Sequence, residues 1–330
     1  MRAYRHQLSR MLLLAGTVAA AAALVAHPAA AASPASAQAP ALLALRAAAA
    51  DERVYVTSTG ESVRIAVSDA LVANDEENRQ WAEFLARLPH GPELSVLLLY
   101  FAPPAEVHMI CGANALACYS PTQRRAVVPS EEIAGQPSRQ SVLAHEYGHH
   151  VANSRSNPPW PAVAFGPKRW ASYVNVCAGL EDGTFSLHRY ELDPAEGFAE
   201  AYRVLAELRL GLEPSPWELV DRTFEPDETA LALIDQDIVD PWQGNVVLRL
   251  KGARSRTIRF STPLDGRVTL TLRAPRTSVY QLRVPGAPLR LARGRGPAQV
   301  STTVCGRRQA AVTVRLLRGK GQFQLAISRP

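Results

Sequence analysis

Acidic residues almost vanish from the end of this 330-residue chain: residues 245–330 carry 18 lysines and arginines against a single acid, Asp265. The bias is reversed over residues 33–244, with 15 basic residues against 29 acidic ones, and residues 1–32 hold three arginines and no acid. Two bodies of opposite charge share one chain. No C-x-x-C pair occurs, which argues against a zinc ribbon. No internal repeat is evident, so a solenoid is not expected. The longest apolar run, Met11 to Ala26, has 16 residues, short of the about 20 that span a bilayer. A polytopic membrane protein is excluded, and a composition of 47% hydrophobic and 20% charged residues excludes a wholly disordered chain. No run interleaves basic and aromatic residues as nucleic-acid binders do, so no nucleic-acid partner is expected.

Arg2, Arg5 and Arg10 precede the apolar run, and small residues with A-x-A options at Ala30–Ala32 or Ala35–Ala37 follow it. This order predicts a signal peptide over residues 1–32 and a secreted, extracellular protein, with cell-surface association through its basic end as an option. Residues 33–50, rich in Ala, Pro, Ser and Gln, read as a linker or short pro-segment. An oxidising compartment favours disulfides for the four cysteines. Four cysteines allow three pairings; the preferred one joins Cys111 to Cys118 in a tight loop and Cys177 to Cys305 across the two bodies.

Strands are expected at residues 54–67 and 94–101, with a helix at 75–88 that shows Trp81, Phe84, Leu85 and Leu88 on one face. Residues 107–129 read as irregular strands, 138–153 as a helix opened by Pro137 and Ser138, 154–193 as an aromatic loop region, and 194–210 as a helix stopped by Gly211. From Asn245 the pattern changes to period two, in short strands separated by Gly and Pro turns, which predicts a small β-sandwich over 245–330.

The strongest chemical signal is Val142-Leu-Ala-His145-Glu146-Tyr-Gly-His149-His150. His145 and His149 stand one helical turn apart, so both imidazoles leave the same face and can share a metal ion. Glu146 lies beside the first of them, within reach of a water at that ion. A catalytic zinc needs three protein ligands and an open position. A third histidine through H-E-x-x-H-x-x-G-x-x-H is excluded, because Ala152 and Arg155 occupy its last two key positions. The run Glu196-Gly-Phe-Ala-Glu200-Ala-Tyr-Arg203 offers two carboxylates on one helix face. One can bind metal while the other holds a ligand imidazole through its second nitrogen. Glu196 is the preferred ligand, Glu200 the preferred imidazole partner, and Asp193 a weaker alternative ligand.

These two segments resemble the secreted gluzincin metallopeptidases, of which thermolysin is the familiar member. The second helix is also similar to that of the anthrax lethal factor protease domain. The resemblance spans roughly residues 94–210 and implies an α+β zincin-like metalloprotease domain at 51–244, followed by the all-β sandwich domain. It implies Zn2+ on His145, His149 and Glu196, with Glu146 as general base in peptide-bond hydrolysis. The chain departs from the thermolysin pattern in lacking a long propeptide and in its aromatic insert at 154–193, so substrate preference does not transfer. Tyr190 and His188 are the first candidates for the oxyanion donor, with His150 and Tyr147 behind them. A peptide or protein substrate is expected to pair with an edge strand at 111–119 or 125–128. Trp170 and the Pro158-Pro-Trp160-Pro segment are candidate cleft walls. The basic sandwich, similar in outline to pre-peptidase C-terminal modules, is expected to meet an anionic cell-wall or membrane surface or to dock on the acidic body of its own chain. Two rival functions remain open: a zincin-like binding protein without proteolysis, and a zinc amidase of wall peptides.

Overall fold

The computed structural model describes residues 51–330 apart from 218, 219, 295, 307 and 308; the signal peptide and linker expected over 1–50 lie outside the described residues. Short β-branched and aromatic runs form β1 (Asp51–Val56), β2 (Ser62–Val67), β3 (Leu98–Ala102), β4 (Cys118–Ser120) and β5 (Arg125–Pro129). They pair in one sheet of order β1-β2-β3-β5-β4. The three central strands are parallel and the two edge strands antiparallel to their neighbours. The single strand expected at 54–67 is a hairpin instead. Thr57 donates its N–H to Glu61 O at 2.8 Å, and Gly60 takes a φ of 91° in the turn between. Residues 94–96 belong to a 3-10 turn opened by Pro92, so β3 starts only at Leu98.

The helices are α1 (Asp75–Arg87), α2 (Pro104–Cys111), α3 (Arg139–Asn153), α4 (Ala162–Phe165), α5 (Lys168–Tyr173), α6 (Val176–Asp182), α7 (Pro194–Arg209) and α8 (Glu228–Val239). Helix α2 corrects the irregular strands expected from residue 107. Pro104 suits a first helical turn, Val107 is buried with Ala66, Tyr100 and Val127, and Gly112 at a φ of 116° ends the helix. The Cys111–Cys118 disulfide ties that end to β4. Three short helices and a 3-10 turn at Tyr190–Leu192 replace the loop expected at 154–193.

The other face of the sheet carries the main core. Val63, Ile65, Leu99, Phe101 and Val128 meet Leu143, Tyr147 and Val151 of α3 and Phe198, Tyr202 and Leu205 of α7. Helices α3 and α7 cross at Gly148 and Ala199: a Cβ added to Gly148 would stand 2.9 Å from Ala199 Cα and 3.0 Å from Ala199 O. Only a residue without a side chain allows that approach.

Residues 245–330 form β6 (Val246–Gly252), β7 (Arg256–Ser261), β8 (Gly266–Arg273), β9 (Val279–Arg283), β10 (Arg290–Arg293), β11 (Ala298–Val304), β12 (Gln309–Arg318) and β13 (Phe323–Arg329). They pair in two antiparallel sheets, β10-β9-β12-β7 and β11-β8-β13-β6. Leu270, Leu272, Leu325 and Ile327 from one sheet share a core with Phe260, Tyr280, Leu282 and Val314 from the other. One end of this body meets the helical insert. Asp265 donates its N–H to Ser172 Oγ at 2.9 Å and accepts from Gly306 N–H at 3.0 Å. Lys168, 1% exposed, donates to Pro158 O at 2.7 Å beside the rings of Trp160 and Trp242, and the Cys177–Cys305 disulfide crosses the same junction.

Alanine at position 148 tests the helix crossing by the sign of its effect. In an open helix, Gly→Ala stabilises by about 1 kcal/mol. Here the new methyl meets backbone, so Gly148→Ala is expected to destabilise by about 1–3 kcal/mol in chemical denaturation. A net gain in stability would show that the crossing is looser than described.

Candidate metal centre

Two capped helices set the site. Ser138 caps α3 by accepting the N–H of Ser141 at 3.2 Å, and Asp193 caps α7 by accepting the N–H of Ala195 at 2.9 Å. That cap engages the carboxylate considered as an alternative ligand. The crossing at Gly148 then faces His145 and His149 toward Glu196, one turn N-terminal of Ala199. Glu196 Oε2 lies 3.2 Å from His145 Nε2 and 3.5 Å from His149 Nε2. Ligand atoms about 2.1 Å from a tetrahedral zinc lie roughly 3.4 Å from one another, so this spacing fits the ion.

Behind the trio the contacts continue inward. His145 Nδ1 donates to Glu200 Oε2 at 3.0 Å, and Arg203 Nη2 donates to Glu200 Oε1 at 2.6 Å. Arg203 also donates to Glu207, which accepts from Ser141 Oγ at 2.7 Å and Ser215 N–H at 3.0 Å. Every member of this chain is at least nine-tenths buried except Ser215. Glu200 therefore fixes which imidazole nitrogen of His145 faces Glu196.

The electrostatics match a site built for a cation. Burial alone would depress the His145 imidazole, yet hydrogen bonds to Glu196 and Glu200 and the charges of Glu146 and Glu196 raise its pKa to about 10. Burial opposes ionisation of Glu196, but the adjacent imidazoles hold its carboxyl well below the usual range. Burial also pushes the Glu146 carboxyl up, partly offset by His145 and His149. Glu146 Oε2 is buried with no hydrogen-bond partner among the described residues. A buried carboxylate oxygen left open is costly unless something absent from the protein itself occupies its far side.

Tyr190 stands half-exposed on the 3-10 turn before α7, close enough for the Glu196 and Glu146 charges to act on its hydroxyl. Burial of that hydroxyl, then the Glu196 and Glu146 charges, raise its pKa far above that of an ordinary phenol. His188 is exposed and, among the described residues, makes no side-chain hydrogen bond to the trio. His150 and Tyr147 serve the core. His150 Nε2 donates to Glu93 O at 2.8 Å while its Nδ1 lies 2.8 Å from Tyr119 Oη, and Tyr147 packs on Tyr202. Trp170 walls no cleft: it is fully buried, edge-on to Phe198 of α7. Trp160 stacks on Phe165 near the domain junction. Sequence reasoning reached Tyr119 only as the end of the expected edge strand at 111–119 and gave its side chain no role; its ring stacks on His149 at 6.4 Å from the edge strand β4.

No protein-family model matches the chain, and the search of curated proteins found no match. Among solved structures, a family GH115 4-O-methyl-α-glucuronidase with specificity for decorated arabinogalactans is 10% identical, with a TM-score of 0.20. The match covers 58% of this chain and 38% of that one. No helix of the described residues is long and apolar enough to cross a membrane.

The shared proton on His145 gives metal loading a distinct pH signature. Because the folded pKa exceeds the ordinary 6.5, this contact stabilises the metal-free protein fully below pH 6.5 and fades toward pH 10. A metal ligand must be unprotonated, so stabilisation by zinc should grow as pH rises through the same window. Melting curves of metal-free and zinc-loaded protein should therefore diverge with rising pH, and calorimetry in buffers of different ionisation enthalpy should detect proton release on loading. Parallel curves without proton release would contradict this arrangement.

Proposed function

We propose that this chain is a secreted zinc-dependent peptidase of gluzincin type that hydrolyses peptide bonds with Glu146 as general base. The observation that carries the reading is the open, buried oxygen of Glu146 beside the His145–His149–Glu196 trio. When bound by those three residues, zinc would polarise the scissile carbonyl and acidify a water at the site.

The protein's own residues do the rest. Glu146, its carboxyl raised by burial, accepts a proton from the attacking water and delivers it to the leaving nitrogen. Glu200, itself held by Arg203, keeps the His145 ring in the tautomer that leaves Nε2 toward the trio. The Tyr190 hydroxyl, on the turn before α7, donates to the carbonyl oxygen as negative charge develops there. The outer edge of β4 is unpaired in the sheet and carries Tyr119 against His149. It offers main-chain groups along which a peptide can lie extended.

Two variants test this on an unbiased peptide mixture. Glu146→Gln should retain stoichiometric zinc while cleavage falls about 10²- to 10⁴-fold. Tyr190→Phe should retain zinc with a loss of about 10²-fold carried mainly by kcat. Zinc bound without cleavage of any peptide by the wild type would reject the peptidase reading. Cleavage of muropeptides but not of the mixture would favour the amidase.

A further inference from the structure

The junction with the helical body uses one end of the sandwich. Asp265, Cys305 and Gly306 lie there in the β7–β8 and β11–β12 connections, with Gly266 at the start of β8. Strand β8 runs away from this junction, and its eight residues carry the chain roughly 23 Å to Arg273. At that far end three connections converge. Thr277 and Ser278 donate their hydroxyls to Lys320 O, and Gly294 packs so closely on Arg276 that a Cβ there would stand 2.2 Å from its Cα. Between them opens a cavity of about 520 Å³, the size of a small-ligand pocket. Arg273, Gln322 and Gln324 supply its polar groups, and Gly and Pro backbone shapes the wall.

The charge around this opening is of one sign. Arg254, Arg273, Arg276, Arg293, Arg318 and Lys320 are all exposed on strands and turns at the far end. The one acid of the domain, Asp265, is buried at the opposite end, so nothing in the sandwich neutralises them. The acidic body of the chain meets the junction end, which leaves these cations facing solvent.

We propose that this far end is a binding site for an acidic polysaccharide, with one acidic sugar of the chain seated in the cavity. Arg273 fits a sugar carboxylate through its planar fork of donors. The carboxamides of Gln322 and Gln324 each offer donors and an acceptor, which suits paired hydroxyl groups. The outer cations then follow the rest of the polyanion. The other polyanions fit less well. All three aromatic rings of the domain, Phe260, Tyr280 and Phe323, are buried, so none is free to stack on a nucleobase or to anchor in a membrane interface. This site stands independently of the peptidase reading, since binding alone reports it.

Titration calorimetry of the full chain with polygalacturonate, at low and at physiological salt, tests the proposal, with dextran as the neutral control. Arg273→Gln combined with Gln324→Ala should weaken binding about 10- to 100-fold, as expected on losing hydrogen bonds to a charged group. Arg259→Gln, which removes the same charge from the outer face of β7, should weaken it less than about 3-fold. Unchanged melting temperature and zinc content would establish that both variants fold. Three outcomes would overturn the proposal: no binding of polygalacturonate, equal losses from the two substitutions, or tighter binding of polyphosphate or phosphatidylserine vesicles that ignores Arg273→Gln.

Discussion

The close crossing of α3 and α7 at Gly148 and Ala199 sets the geometry of the candidate site. Helix axes normally pack 8–10 Å apart, set by the side chains between them. With no side chain at 148, the two helices approach until a carboxylate from one reaches two imidazoles of the other. The H-E-x-x-H spacing and the four-residue spacing of Glu196 and Glu200 each fix only a face of a helix. It is the crossing that sets those faces against one another, and both depend on helices that are firmly capped at Ser138 and Asp193.

Such an arrangement concentrates charge in the core, and the structure answers it with paired groups. An ionised carboxylate taken from water costs several kcal/mol unless its lone pairs are met. Glu200 is met by His145 and Arg203, and Glu207 by Arg203, Ser141 and Ser215. Cutting this chain at Arg203 would leave Glu200 and Glu207 without their shared cation, a loss on the scale of 3–5 kcal/mol for a broken buried pair. Glu146 breaks the pattern. It sits among the same charges with one oxygen unmet, the one break in the pairing of these carboxylates.

Much of this was legible in the sequence because period and spacing carry it. The helix read at 138–153 is observed at Arg139–Asn153, and the one read at 194–210 at Pro194–Arg209. Period-two runs likewise marked residues 245–330 as short strands, and the structure has strands there. Features that depend on tertiary neighbours were not legible. Helix α2 is only eight residues long and has little amphipathic pattern, so the apolar face of the sheet decides it rather than its own sequence. Trp170 is an aromatic within a loop-like stretch, and nothing local distinguishes a cleft wall from a core residue under α7. In β10 and β11 the alternation is weak, because Leu291 faces solvent and Thr302 takes an inward position. Tyr119 meets His149 only through strand pairing, which no spacing along the chain encodes.

The same packing explains why the basic sandwich belongs to the architecture of the site as well as to its surroundings. Its junction end grips Ser172 and Cys177, which flank the chain between α5 and α6. Helix α5 carries Trp170, and Trp170 bears edge-on against Phe198, two residues from Glu196. Asp237 of α8 closes the arrangement by accepting the N–H groups of Arg169 and Trp170 at 3.0 and 3.1 Å. A continuous run of buried contacts thus leads from the sandwich to the turn of α7 that carries Glu196. Interiors this dense transmit displacement because they have no slack to absorb it. The far end of the sandwich lies outside that run, so its surface is free to vary in charge without disturbing the position of Glu196. One end of the domain braces the His145–His149–Glu196 cluster, and the other faces solvent.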